Sequence, residues 1–380
     1  LTSTERSLSS LTIKRSRTVQ QGWAILMEGR RAMNRPSKRR VLIVCGTALA
    51  SLLFLTGSGS ASNFFEGKTL RFFVGIPPGG AYDLVPRILA AHIGKYIAGS
   101  PKIIIENMPG AGSLTMMNYL YNRAARDGTA IGFPMNTILL EPSLKLVSGA
   151  SGNAQFDLSR MAWIGTPGED PAVAWVGGAS PIKNFEDLKT KGATFGSTGA
   201  GADSTILANL SNKLLGSKIK IVAGYKGAAE YLMAFEGGEI DGAVTTYAAL
   251  LAARPDWIKD GRIRLIAQFG AERNKDLPDV PTGVELASEA DAKAMLRLYG
   301  VKFAAAYPVV LPPDVPAEQV KTLRDAFAAT MDDPDYKAQL DAMRISGGIV
   351  TPATIDRFVR DVDGAPRDII DRLRQVLEGK

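Results

Sequence analysis

The 380-residue chain contains a single cysteine, Cys45, and a single histidine, His92. Those two scarcities exclude whole classes of chemistry. A Cys/His zinc site or a multi-histidine metal centre cannot be assembled, and no thiol nucleophile lies outside the first 62 residues. A Ser-His-Asp triad would have to use His92, which falls beside Ile88, Leu89 and Ile93 in a helical pattern starting at Leu84 and reads as a helix-face histidine. Nucleotide loops are missing as well. "PGAGSLT" (109–115) and "GSTGAGADST" (196–205) are glycine-rich and precede helices, but neither ends in Gly-Lys-Ser/Thr, and the Rossmann glycine spacing is absent. The adjacent acidic pairs Asp332/Asp333 in "MDDPD" and Glu169/Asp170 in "GEDP" are expected in solvated turns, not across a cleft. No cofactor and no metal are expected.

The composition is 46% apolar, and the length suits about two domains with proper cores. The formal net charge of +7 is unevenly placed, because residues 1–62 hold ten basic and two acidic side chains and leave residues 63–380 close to neutral. A nucleic-acid partner is therefore not expected. Within that leader, "SKRR" (37–40) is a basic start, "VLIVCGTALASLLFL" (41–55) an uncharged apolar run, and "TGSGSAS" (56–62) a stretch of small residues. This is the order of a secretory signal peptide, and the run is short of the ~20 residues of a membrane span. Translation is expected to begin near Met33. A lipoprotein is excluded because Cys45 follows Val44 inside the apolar run. The destination read from this is the periplasm.

Beyond the leader, short apolar strands alternate with amphipathic helices. Strands are expected at 69–76, 102–105, 129–133 and 161–164, with helices from Leu84 and from about Ser113. The pattern restarts at Ala172, with strands "AVAWVG", "ATFGS", "KIKIV" and "IDGAVTT" separated by helices over 185–189, 205–215 and 228–235. Helices over 317–331, 335–343 and 355–377 close the chain and are placed back on the first layer. Such alternation predicts an α/β protein with two layers of comparable size, each a mainly parallel sheet covered by helices.

Three bends carry the functional reading. In "GIPPGGAYDLVPR" (75–87) a strand passes through two prolines and two glycines into a helix whose first N–H groups and positive dipole end suit an anion. Asp83 is placed as its N-cap, with Arg87 four residues on offsetting the charge. "FGSTGAGADS" (195–204) is a second such bend and adds the hydroxyls of Ser197, Thr198 and Ser204. "NMPGAGSL" (107–114) is a third. Bends on two lobes facing each other would frame a cleft of the kind in which ligands of such proteins sit. Tyr225, starting a helix after "KIKIVAG", and Thr245 and Thr246, ending the strand after "GGEIDGAV", are further candidates.

The ordered series "GIPPGGAYDLVPR", "IIIENMPGAGS", "ARDGTAIGF", "GSTGAGADS", "YKGAAE", "GGEIDGAVT", "LPDVPTGVE" and "VVLPPDVPAEQV" resembles the substrate-binding receptors of tripartite tricarboxylate transporters, the Bug or TctC-like family. The resemblance implies a type II periplasmic-binding-protein fold, a Venus flytrap joined by crossing hinge strands. Residues 63–165 and 267–380 would form lobe 1, and 166–266 lobe 2. It also implies a ligand site at Gly79, Gly80, Ala81, Tyr82 and Asp83 and at Ser197, Thr198, Gly199, Ala200, Asp203 and Ser204. The implied activity is that of a monomeric receptor, not an enzyme, which captures a small organic carboxylate and delivers it to membrane permease subunits. The family's third glycine and threonine are replaced here by Ala81 and Tyr82, and its Pro-Tyr-Lys-Gly-Gly by 224–228, so Tyr82 would narrow the pocket or stack on a ring. Two alternatives stay open: an exported hydrolase or lyase with Asp83 or Asp203 as base, and a binding protein that feeds a sensor.

Overall fold

The computed structural model describes residues 64–145, 153–199, 201–345 and 348–378; the leader, with its signal-peptide pattern and the start at Met33, and Ala200 lie outside the described residues. Among the described residues ten strands form two five-stranded sheets: β1 (Thr69–Val74), β2 (Lys102–Asn107), β3 (Ala130–Phe133), β4 (Ala162–Gly165), β5 (Ala172–Gly177), β6 (Ala193–Ser197), β7 (Ile219–Ala223), β8 (Gly242–Thr246), β9 (Ile263–Phe269) and β10 (Val309–Leu311). The orders are β2-β1-β3-β10-β4 and β7-β6-β8-β5-β9. In each sheet four strands share one direction and one opposes it, because β10 pairs antiparallel with β3 and β4, and β5 pairs antiparallel with β8 and β9.

Connectivity explains the odd strand. The chain leaves the first sheet at the C-terminal edge of β4 and enters the second from its matching edge, so β5 must run backwards; β10 repeats this on the return. The mainly parallel sheets follow from the strand-helix alternation, whereas the two reversed strands follow from the crossings. Both crossings lie at the edges where the parallel strands end and their helices begin, and there ligands of open α/β sheets bind.

The helices are α1 (Ala81–Ile93), α2 (Leu114–Asn122) and α3 (Glu141–Leu144) around the first sheet, and α4 (Phe185–Thr190), α5 (Asp203–Leu215), α6 (Ala228–Glu236) and α7 (Tyr247–Ala253) around the second. There follow α8 (Gly283–Leu286), α9 (Ala290–Ala304), α10 (Ala317–Asp332), α11 (Pro334–Ala342), α12 (Pro352–Asp363) and α13 (Arg367–Leu377). The single helix expected over 355–377 is broken at 364–366, where Pro366 stands just before α13 and cannot continue α12. Helix α10 packs on α1 and β4, and α12 on β4, so the tail does return to the first layer; α13 also touches α5.

Helix α9 has no counterpart in the periodicity reading. Ala292, Met295, Leu296, Leu298, Tyr299, Val301, Lys302 and Phe303 are all buried, so it lacks the polar face that makes an amphipathic stripe. It lies against the end of β9 through Gly300, where a Cβ would stand 2.7 Å from the main chain of Gly270 and Ala271. The core runs through both sheets, with Trp163 on β4 and Trp175 on β5 wholly buried.

Candidate functional site

At the first bend the N-cap of α1 is Gly80, not Asp83. Gly80, at φ 77°, takes a left-handed turn open to glycine, and the helix starts at Ala81, three residues earlier than an Asp83 cap would allow. Asp83 is therefore the third helical residue and reaches back into the bend. Its Oδ2 accepts from the Gly79 N–H and Arg87 Nε, both at 2.9 Å, and its Oδ1 from Arg87 Nη2 at 2.9 Å and Asn107 Nδ2 at 2.8 Å. The Arg87 guanidinium foremost, then Asn107 and the Gly79 N–H, hold this carboxyl down to about 2. With its oxygens so occupied Asp83 braces the bend, while the N–H groups of Ala81 and Tyr82, first in α1, point out of the helix without a carbonyl inside it.

The third bend is a buttress for the first. Residues 110–113 all have positive φ (Gly110 145°, Ala111 45°, Gly112 56°, Ser113 78°), a strained run that needs surrounding support. Ser113, fully buried, donates from Oγ to the Gly75 carbonyl at 3.1 Å and accepts from the Met135 N–H at 2.9 Å. Asn107, at its start, holds Asp83.

In the second bend Ala202 is the N-cap of α5 and Asp203 its first residue. Buried Ser197 shares a hydrogen bond with Ser204 Oγ at 2.8 Å and another with Thr205, whose hydroxyl donates to the Gly199 carbonyl at 2.7 Å. Thr198 is exposed, Gly199 half-buried, and Ala200 lies outside the described residues. The Asp203 carboxylate is taken up by α9: Lys302 Nζ donates to its two oxygens at 2.7 and 2.9 Å, and the Tyr299 hydroxyl donates at 2.6 Å. Lys302 is only 2% exposed.

From Lys302 the contacts run on to the first bend. Its carbonyl accepts from Asn136 Nδ2 at 2.9 Å, and the Asn136 main chain lies beside the Tyr82 hydroxyl. Burial pushes the Tyr82 phenol well up, with Tyr307, whose ring centroid lies 5.2 Å away, and the carboxylates of Asp170 and Asp203 adding to the effect. The sequence-predicted residues Tyr82 and Asp203 are thus joined through Asn136, Lys302 and Tyr299, none of which was anticipated. Lys302 had a legible signal, a lone lysine in the apolar run "YGVKFAAAY".

The remaining candidates are engaged elsewhere. Thr246 caps α7, accepting from the Ala249 N–H at 3.4 Å. Thr245 lies beside the Tyr231 hydroxyl, and Tyr225 lies edge-on to Tyr231 with its own hydroxyl 3.5 Å from Glu239, so both lie against α6 and neither joins the Tyr82 to Asp203 chain of contacts. Asp170 and Asp333, expected in solvated turns, are buried. Asp333 caps α11 and binds His92 Nδ1 at 2.9 Å, which confirms His92 as a structural helix-face residue. Asp170 sits in the crossing segment 166–171, accepts from the Ala248 N–H at 3.0 Å, and is pushed up to about 6 by burial. No group of three or more His, Cys, Asp or Glu side chains suited to a metal occurs among the described residues.

Asp170 sets a pH dependence. Its folded-state value lies above the ordinary ~3.9, so its contribution to stability is complete below pH 4 and is lost as pH rises through 6, at a cost of about 3 kcal/mol. Asp170→Asn, which keeps an acceptor for Ala248, is expected to melt higher than wild type at pH 7.5 and to lose the difference near pH 4; equal melting curves at both pH values would refute it.

Residues 85–374 match the family described as "Tripartite tricarboxylate transporter family receptor". A UPF0065 protein from the gbd 5' region of Cupriavidus necator is 25% identical over 343 residues, covering 88% of this chain and 96% of that one. Protein BugT of Bordetella pertussis is 23% identical over 257 residues, 65% of this chain and 74% of its own. Among solved structures, a ligand-free TctC solute-binding protein from Polaromonas superposes with a TM-score of 0.62 at 18% identity, covering 80% of this chain and 99% of its own. An R. palustris protein with adipate superposes at 0.53 and 20% identity, over 82% of this chain and 97% of its own. MatC from Rhodopseudomonas palustris, with bound malate, gives 0.50 and 20% over 82% and 100%.

Proposed function

The chain belongs to the tripartite tricarboxylate transporter receptor family, and from that premise we propose that it captures a small organic carboxylate between its two sheets and hands it to the permease subunits of such a transporter. The observation that carries this reading is the convergence of two helix N-termini, α1 and α5, from different sheets on one chain of contacts through Tyr82, Asn136, Lys302 and Asp203. Each terminus offers main-chain donors to an anion without needing a cationic side chain. Related structures hold malate and adipate, which supports a carboxylate as the ligand class.

The ligand site is placed at Gly79 to Tyr82 and Ser197 to Ser204, with Asp83 as brace. The order of charge and hydropathy in residues 1–62 supports export to the periplasm, where the receptor acts as a monomer without metal or nucleic acid. The lobes, expected at 63–165 with 267–380 and at 166–266 and here divided after β9 so that Ala267 to Phe269 stay with the second sheet, close by a ligand-driven shift of population. The hydrolase or lyase alternative is set aside: the family is one of receptors, Asp83 is saturated with hydrogen bonds, and Asp203 is paired with Lys302. Delivery to a sensor is the second destination, separated by which membrane protein the loaded receptor retains.

The test is thermal melting of the purified protein with malate, adipate, citrate, glutamate and benzoate, followed by titration calorimetry. An acid present at a hundred times its Kd is expected to stabilise the fold by about 2.7 kcal/mol. No stabilisation by any of the five overturns the carboxylate reading.

A further inference from the structure

Asp203 poses a problem for an anion site at the start of α5. As the first residue of the helix, its carboxylate stands where the dipole is most positive and where an incoming carboxylate must come. Left unpaired it would quench the dipole and repel the ligand. Lys302 removes that charge: it reaches from α9, is 2% exposed, contacts both Asp203 oxygens, and lies 4.9 and 5.0 Å from the ring centroids of Tyr299 and Phe303. Tyr299 donates a further hydrogen bond to the same carboxylate. A cavity of about 440 Å³ opens on this pair, lined by Ala202, Asp203, Tyr299 and Lys302 and, from the ends of α3 and α13, by Lys145, Arg374 and Glu378, so the pair stands at the wall of a space large enough for a small acid, on the α5 side and apart from Gly79–Tyr82.

We infer that Lys302 is a positioning residue for carboxylate capture: it neutralises Asp203 so that the α5 terminus keeps its positive character. The ligand does not need to touch Lys302. The inference rests on the carboxylate reading of the site and adds to it the residue that makes an acidic helix start compatible with an acidic ligand. It also reverses the role of Asp203, which becomes an obstacle to the anion that the protein compensates.

The experiment measures, on the same samples, the Kd by calorimetry for whichever of malate, adipate, citrate, glutamate and benzoate wild type binds tightest, and the melting temperature. Lys302→Met leaves Asp203 uncompensated and is expected to weaken binding by about tenfold or more, a few ångströms separating like charges. Asp203→Asn removes the repelling charge and is expected to bind the acid more tightly than wild type, although it melts lower because Lys302 loses its partner. The double variant Asp203→Asn/Lys302→Met is expected to regain most of the affinity lost in Lys302→Met, and Lys302→Arg to keep it. Binding that follows melting temperature through the series, or weaker binding by Asp203→Asn, overturns the inference and leaves the receptor reading standing. Failure of wild type to bind any of the five overturns the carboxylate reading and this inference with it.

Discussion

Asp83→Ala is expected to lower the melting temperature by about 5–10 °C and to abolish measurable carboxylate binding. The carboxylate it removes accepts from Arg87 twice, from Asn107 and from the Gly79 N–H, so the substitution strips the bend of its internal acceptor, leaves the Gly79 N–H unpaired and takes one partner from Asn107, which keeps the Ile76 carbonyl and Arg87. Losing a buried acceptor shared by several donors costs about 3 kcal/mol, with the Arg87 part discounted because that side chain is 41% exposed. For a chain of this size that cost corresponds to a few degrees per kcal/mol. The acid limb should change too. A carboxyl held at about 2 stabilises the fold above pH 4 and withdraws that support as pH falls toward 2, so wild type loses stability over this range and Asp83→Ala loses less. Scanning fluorimetry from pH 2 to 7 reads both stability effects and calorimetry the binding; a variant that melts within a degree of wild type and binds normally would show that Asp83 braces nothing.

Gly75→Ala should be equally damaging although it adds one methyl group. A Cβ at Gly75 would lie 2.3 Å from Ser113 Oγ and 2.5 Å from its Cβ. Ser113 cannot withdraw, since it is buried, bridges the Gly75 carbonyl and the Met135 N–H, and sits at the end of four residues with positive φ. Overpacking against a fixed neighbour costs about 3 kcal/mol, and the displaced bend should weaken binding about a hundredfold. Ser113→Gly in the same chain clears the clash and suits the left-handed backbone, so the double variant should recover a large part of the lost stability while still lacking the two Ser113 hydrogen bonds. Absence of any recovery would mean that the damage at Gly75 has another origin than the approach of Ser113.

Much of this site was legible as pattern and little of it as contact. The bends at 75–87 and 195–204 were marked by glycine and proline between an apolar run and a helix, because turn chemistry is local. The third bend was visible for the same reason, but its use was not: that Asn107 holds Asp83 and Ser113 holds Gly75 depends on β2 lying beside β1. Asp170 reads as a solvated turn residue because "GEDP" is turn chemistry, and nothing local says that the turn is a buried crossing between two sheets. Lys302 stands in α9, which is buried on nearly all sides and offers no helical stripe, so the lone lysine in an apolar run is its one local signal and says nothing of the partner it meets.

By itself the sequence determined the alternation of strand and helix, hence two mainly parallel α/β layers; the three bends; the exclusion of thiol, zinc and nucleotide chemistry; and, through motifs in order, the receptor family. Each rests on short-range rules, periodicity and turn chemistry, or on the counts of residue types. The tertiary structure alone decided which strands run backwards, since that follows from where the chain crosses. It alone also decided that Asp83 and Asp203 are bound internally, by Arg87 and by Lys302 respectively. A carboxylate is a ligand contact, a brace or an obstacle according to what surrounds it, and for Asp203 the decisive neighbour stands 99 residues away along the chain.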